Sequence, residues 1–361
     1  MFIKSLKLAD FRNYNELDIE FVNGTNILYG DNAQGKTNIL EAIYLCGTTK
    51  SHKGNKDREI IQFEKDEAHI RSIIEKNKIE YKIDIHLRKN RTKGIAINGI
   101  PIKKASELFG IVNFVFFSPE DLNIIKNGPS ERRRFMDLEL CQLDKLYLYH
   151  LTKYNKIINQ RNKLLKDIPF QKELRDTLCV WDLQLVEYGI KIIERRNIFI
   201  HQINEIIFEI HKKLSGGKED LVIEYEQNVS EKDFFTRLQS NIEKDIKLKN
   251  TSVGPHRDDL NFLIKKVDIR KYGSQGQQRT AALSLKLSEI DLVEKIMNDK
   301  PILLLDDVLS ELDSNRQNYL LDSINHTQTL ITCTGLDEFI NNRFCIDKIY
   351  NVKEGTVKVE N

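Results

Sequence analysis

Cysteine is scarce in this 361-residue chain and scattered: Cys46, Cys141, Cys179, Cys333 and Cys345 form no C-x-x-C pair. Neither a zinc site nor a disulfide framework is indicated. No apolar run reaches the length of a membrane span and the first residues form no signal peptide, so a soluble, cytosolic protein is expected, with no membrane partner. An excess of one charge is also missing. Charged residues make up 30% of the chain, yet the net charge is only +2, so any DNA affinity has to come from a local patch. There are no repeats and no low-complexity linker. The length allows two or three domains and a substantial core.

What is present is concentrated in three places. Gly30-Asp31-Asn32-Ala33-Gln34-Gly35-Lys36-Thr37 fits the phosphate-loop pattern G-x-x-x-x-G-K-[ST]. It follows a short apolar strand, Asn26 to Tyr29, and opens an apolar-faced helix from Asn38 to Leu45, which is the context such a loop needs. Backbone N–H groups around Gly30 and Gly35 can wrap phosphates, with the helix presenting its positive end. Lys36 supplies a point charge to the β- and γ-phosphates of ATP, and the Thr37 hydroxyl is a Mg²⁺ ligand. Far along the chain, Pro301-Ile302-Leu303-Leu304-Leu305-Asp306-Asp307 reads as a buried strand ending in two carboxylates. Asp306 is placed to hold Mg²⁺ and Asp307 to polarise an attacking water. Between them, Ser274-Gln275-Gly276-Gln277 starts a helix, where hydroxyl, backbone amides and dipole point outward toward an anion. Leu214-Ser215-Gly216-Gly217 imitates a transporter signature but ends a helix, where paired glycines are C-caps.

Strand-like alternation over Phe2–Phe21, antiparallel patterning over 68–98 with an Asn98-Gly99 hairpin turn, and the apolar run Ile111 to Phe117 surround the loop. From Ser130 to Leu214 the pattern is helical. One stretch runs through Leu138 to Ile158 and is broken at Asp167-Ile168-Pro169; a second, over 171–214, would span about 65 Å if unbroken. An antiparallel helical hairpin is expected. The fold class is thus α/β: a P-loop ATPase head with a mixed sheet and an antiparallel N-terminal subdomain. The head is discontinuous, 1–125 and 250–361, and 126–249 is an inserted, mainly helical arm.

Basic and mixed clusters leave two readings open. Arg132-Arg133-Arg134, with Lys126 and Lys145 nearby, could contact DNA phosphates or form a solvated helix face; Arg161, Lys163 and Lys166 carry the same ambiguity. His256-Arg257-Asp258-Asp259 is read as a structural or interface element rather than a metal cluster, because consecutive residues seldom converge on one ion. His52 and Lys53 either approach DNA or a partner head, or are ordinary surface residues.

The three elements in this order resemble the ATPase head shared by ABC and SMC-type proteins. The likeness extends to the RecF family of bacterial DNA-repair proteins through Phe11-Arg12-Asn13-Tyr14, the loop at 30–37, Phe117 to Leu122, Arg132 to Asp137, Gln160-Arg161-Asn162, Gly254 to Leu260 and Leu304 to Asp313. The resemblance implies DNA replication, damage repair and the SOS response: ATP-driven homodimerisation on gapped DNA or single-strand/double-strand junctions, work with RecO and RecR, and loading of RecA. It implies trans γ-phosphate contacts from Ser274 and Gly276, a D-loop at Ser310-Glu311-Leu312-Asp313, an N-terminal phosphate contact from Arg12, and a backbone cradle including Asn32 and Gln34. Asp307 stands where the wider ABC pattern has a catalytic Glu, and Thr332 or Thr334 where transporters have a switch His. A weak, DNA-stimulated ATPase acting as a timer suits both changes. A transporter subunit would need a true L-S-G-G-Q, a switch His and no long arm. Another SMC or Rad50-like head, the nearest alternative, would need a much longer coiled coil. A phosphoryl-transfer enzyme would need an acceptor pocket in the insertion.

Overall fold

The computed structural model describes residues 1–54, 56–325, 327–336 and 345–360. They form two compact units, Met1–Asp121 with Lys286–Asn361, and Leu122–Leu285.

The first unit carries two six-stranded sheets. One contains β1 (Phe2–Phe11), β2 (Tyr14–Glu20), β4 (Glu67–Lys76), β5 (Ile79–Arg88), β6 (Gly94–Ile97) and β7 (Ile100–Pro101), in the order β2-β1-β4-β5-β6-β7. Every pairing is antiparallel. Alternation places Leu6, Leu8, Ile70, Ile83, Ile85 and Leu87 in the core and polar residues on the other face, as a half-buried sheet requires. Asn98-Gly99 turns with φ of 53° and 79°, the left-handed pair of a tight hairpin. Asn77-Lys78 does the same with φ of 52° and 64° and no glycine.

The second sheet contains β3 (Thr25–Tyr29), β8 (Phe114–Phe117), β12 (Ile302–Asp306), β13 (Thr329–Cys333), β14 (Lys348–Lys353) and β15 (Thr356–Glu360), ordered β15-β14-β3-β13-β12-β8. β14, β3, β13, β12 and β8 run parallel, and β15 is an antiparallel edge. The continuous apolar runs of β8 and β12 follow from burial on both faces. Helix α1 (Lys36–Thr48) packs on this sheet against β8, β12 and β13.

The second unit is built on α2 (Pro129–Leu143), α3 (Lys145–Asp167) and α4 (Leu178–Leu214), with a small sheet of β9 (Leu221–Glu226), β10 (Asp259–Ile264) and β11 (Val267–Asp268). Arg161 bonds Asp182, and Tyr147 bonds Arg196, so advancing along α3 means retreating along α4: the expected antiparallel hairpin. Its turn end is closed by Leu165, Ile168 and Leu178. The continuous helix expected through Leu138–Ile158 is broken at Asp144. That residue is extended (φ −141°, ψ 107°), and its carboxylate accepts from the Leu146 and Tyr147 N–H groups to cap α3. Residues 172–177 form a 3₁₀ turn, which shortens α4 to about 55 Å. The return to the head, expected at 250, instead falls after Leu285, within helix α5 (Gln275–Met297). The cause is tertiary pairing: β10 joins β9 with Leu260 opposite Tyr225, which keeps 259–268 in the inserted unit. Helix α6 (Ser314–Ser323) follows in the first unit.

Candidate nucleotide-binding site

β13 lies between β3 and β12, and this order assembles the site. Thr332 pairs with Leu28 on one side and with Asp306 on the other. The loop that leaves β3 therefore meets the end of β12 across one intervening strand, at the carboxyl edge of the parallel strands, where such sheets form their ligand crevices.

The loop is a strained, well-supported backbone. Gly30 has φ 151°, Ala33 64° and Gly35 113°, values that favour glycine. A Cβ on Gly35 would lie 2.5 Å from the Asn13 amide nitrogen. Asn13 donates its Nδ2 to the Gln34 carbonyl at 2.9 Å, and the Tyr14 hydroxyl donates to the Gly35 carbonyl at 3.1 Å. From the other end of the chain, the Glu354 N–H donates to the Gln34 side chain at 2.6 Å and the Gly355 N–H to its carbonyl at 3.3 Å. In the sequence, Asn13 and Tyr14 had no role beyond their place in the family motif at 11–14, and nothing in it pointed to the second pair of props.

Lys36 folds back over the loop and donates Nζ to the carbonyl of Asp31 at 2.8 Å and to that of Gly30. Burial lowers its pKa, against the opposing pull of Asp307, Asp306 and Asp31. The Thr37 hydroxyl donates to Asp306 Oδ1 at 2.7 Å, and the Thr332 hydroxyl donates to the same oxygen at 2.9 Å. Thr332 Oγ1 also accepts the Asp307 N–H at 3.0 Å, holding Asp307 in a left-handed conformation with φ 53°. Burial raises the Asp307 pKa, opposed by Lys36 and reinforced by Asp306. Of the two threonines weighed at the switch position, Thr332 bonds the Asp306 carboxylate and the Asp307 backbone N–H, whereas Thr334 is exposed beyond β13.

Arg12 forms a bidentate pair with the fully buried Glu41 at 2.8 Å and donates to the Glu59 carbonyl at 2.9 Å. Its guanidinium is thus held on α1, and Glu41 keeps a lowered pKa: burial works against it, and Arg12 and Ser51 overcome burial.

In the second unit, Ser274, Gln275 and Gly276 are exposed at the start of α5. Ser274 N–H donates to Gln277 Oε1 at 2.8 Å, and Gln277 N–H donates to Ser274 Oγ at 3.2 Å, a reciprocal cap that leaves the first-turn amides facing outward. Gln277 also donates to Glu219. The Ser215-Gly216-Gly217 segment is a helix end, with Gly217 N–H bonded to the Lys212 carbonyl at 2.7 Å. Ser310 donates to the Asp307 carbonyl at 2.9 Å, and Asp313 caps α6 through the Arg316 N–H.

The RecF/RecN/SMC N-terminal domain family model matches residues 2–358. The DNA replication and repair protein RecF of Agathobacter rectalis is 66% identical over 359 residues, covering 99% of both chains. The chain belongs to the RecF family. RecF of Clostridium perfringens strain 13 is 44% identical over 363 residues, covering 99% of this chain and all of that protein. A solved structure described as the recombination mediator protein RecF with ATP in the RecFOR pathway superposes with a TM-score of 0.94 at 37% identity, covering 100% of this chain and 98% of that one. An SmcHead structure matches at TM-score 0.58 and 18% identity, a likeness of fold alone. The RecF-type fold is therefore the ABC/SMC-type head expected.

Several RecF-family motif residues have structural employment. Arg132 is 2% exposed, pairs with Asp259 at 2.5 Å and caps the carbonyls of Ile124 and Asn127. Arg133 donates to the Asp258 carbonyl at 2.6 Å, and only Arg134 of the three is exposed. Arg161 is fully buried between Asp182 and Asp245, with Thr251 as a further acceptor at 3.0 Å. Arg132 and Arg161 are therefore withdrawn from the DNA-contact candidates: long basic side chains on helices faced the interior, which periodicity alone did not reveal. His256 Nδ1 accepts from the Tyr154 hydroxyl at 2.7 Å and Nε2 donates to the Thr251 carbonyl at 2.9 Å, the structural role expected. His52 stacks on Phe116. No helix among the described residues is long and apolar enough to cross a membrane.

Proposed function

We propose that this chain is an ATP-dependent DNA-binding switch in DNA replication and recombinational repair. ATP and Mg²⁺ at residues 30–37 drive two copies together on gapped DNA, and the pair acts with RecO- and RecR-type partners to load RecA. The relatives' names and the RecFOR description support the biological setting. The observation that carries the biochemical reading is the meeting of Thr37 Oγ1 and Asp306 Oδ1 at 2.7 Å beside the Lys36 ammonium. Two hard oxygen donors at the mouth of a glycine loop suit Mg²⁺, which needs oxygen ligands at about 2.0–2.1 Å.

When bound, the metal ion neutralises charge between the β- and γ-phosphates. The chain's own residues do the rest. Amides of the 30–37 loop and Lys36 bind the phosphates, and the hydroxyl protons of Thr37 and Thr332 turn away from Asp306 to free its lone pairs. Asp307, fixed through Thr332, orients water. Ser274 and Gly276 of the other copy bind the γ-phosphate with the α5 amides. Arg12, positioned by Glu41, contributes through the N–H groups that pair leaves. Ser310 and Asp313 lie at the dimer seam, and Arg133 and Arg134 are the remaining DNA-contact candidates of their triplet. Hydrolysis is slow and DNA-stimulated, because Asp reaches less far than Glu and a threonine replaces the switch histidine.

The test measures dimerisation and gapped-DNA binding with ATP for Lys36→Met and Ser274→Arg, separately and mixed. Each alone should fail, and the mixture should recover through dimers that retain one intact site. ATP-independent binding, or no recovery on mixing, overturns the composite site.

A further inference from the structure

The outer face of the β2-β1-β4-β5-β6-β7 sheet carries a histidine pair that the nucleotide site does not use. His69 on β4 stands directly opposite His86 on β5. Their rings stack with centroids 4.0 Å apart and planes at 22°. Glu67, two residues before His69, shares its face by strand alternation, and its Oε2 lies 2.6 Å from His86 Nε2. One ligand atom from each of Glu67, His69 and His86 can be chosen so that all lie within 4.8 Å of one another. The row across the sheet reads Ala9, His69, His86, Gly94, so the imidazoles are flanked by the smallest side chains. They line a groove of about 910 Å³. Bulky neighbours that would close a coordination sphere are absent from that row.

We propose that Glu67, His69 and His86 form a divalent transition-metal site, of the Zn²⁺ class, joining β4 to β5 and keeping an open coordination position toward the groove. Two imidazoles and one carboxylate are a donor set zinc accepts, and three protein ligands leave room for a fourth. With bonds of about 2.0–2.1 Å at a tetrahedral angle, the ligating nitrogen and oxygen sit roughly 3.3 Å apart. The Glu67–His86 contact therefore opens by about 0.7 Å, and the exposed His69 ring turns out of its stack on His86 so that its in-plane nitrogen lone pair meets the same ion. Arg88 holds the opposing position: its Nη2 lies 2.9 Å from His86 Nδ1. Zinc on Nε2 moves the remaining ring proton to Nδ1, so Arg88 must withdraw. Arg88 is thus a cationic brake on the site.

The full-length chain is titrated with Zn²⁺ against a chromophoric chelator, and with Co²⁺ for its visible spectrum. One equivalent should bind, with cobalt bands of a nitrogen/oxygen site and no thiolate charge transfer. His69→Ala, His86→Ala and the conservative Glu67→Gln should each weaken binding by about tenfold or more. Arg88→Gln, which replaces a cation by an acceptor for Nδ1–H, should tighten it severalfold, and Lys36→Met should leave it unchanged. Far-UV circular dichroism establishes that each variant is folded. No binding, binding that survives His69→Ala and His86→Ala, or a thiolate spectrum overturns the site.

Discussion

Arginine 132 illustrates how one residue type serves opposite ends. Its guanidinium is enclosed by Asp259 and the carbonyls that end the preceding helical turn, whereas Arg134, two positions on, is exposed. Removing one partner of a buried pair costs about 3–5 kcal/mol; Asp259 keeps Arg270 at 2.9 Å, so the loss for Arg132→Ala is expected at about 2–4 kcal/mol. Arg134→Ala should change stability by less than about 0.5 kcal/mol. Urea unfolding of the two variants checks the difference. A DNA-binding defect in Arg132→Ala would then be secondary to unfolding. In the loop, by contrast, residue identity was readable in advance, because glycine at positive φ and Lys-Thr at a helix start have few other uses.

At the scale of elements, the family motifs at 132–137, 160–162 and 254–260 converge into one polar layer of the inserted unit. Arg196 binds Asp137 at 2.7 Å, Asp258 at 3.0 Å and the Pro255 carbonyl at 2.7 Å, while Asn162 accepts from Thr251. Tyr154 of α3 and Thr251 clamp His256 between them. Burial, with Arg257, Arg133 and Arg196 nearby, lowers the His256 pKa from 6.5 to about 4. The folded state therefore binds fewer protons than the unfolded state between these values, and stability rises with pH across that window. The contribution is complete above about pH 6.5 and is lost as pH falls toward 4, on the order of 3 kcal/mol at most. His256→Gln should flatten this part of the stability–pH curve, measured by denaturant titration from pH 4 to 7. The sequence showed the motifs but not their meeting. α3, α4 and the segment around 255 come together only once the hairpin has folded.

For the whole molecule, the division into two units gives nucleotide an uneven effect. The loop, Thr37, Asp306, Asp307 and Thr332 all belong to the unit formed by both chain ends, so a bound nucleotide ties residues 30–37 to 306–332. MgATP at about 100 times its Kd should add about 2.7 kcal/mol to that unit's stability. Calorimetry with and without MgATP reads the shift, which Lys36→Met should abolish.

The sequence by itself determined the phosphate loop, the strand ending in Asp306 and Asp307, the helical hairpin and the RecF-family membership. Each rests on patterns that are legible along the chain, enforced by glycine conformation, burial or periodicity, without reference to which distant residues meet. Tertiary structure decided what depends on partners distant in the chain. The order β3-β13-β12 set Thr332 between the two halves of the site. The pairing of β10 with β9 moved the unit boundary from 250 to 285. Helix packing buried Arg132 and Arg161, and the β4–β5 register brought His69 opposite His86, where no cysteine or histidine spacing had suggested zinc. Register and packing are properties of pairs, and a linear pattern specifies only one member of each.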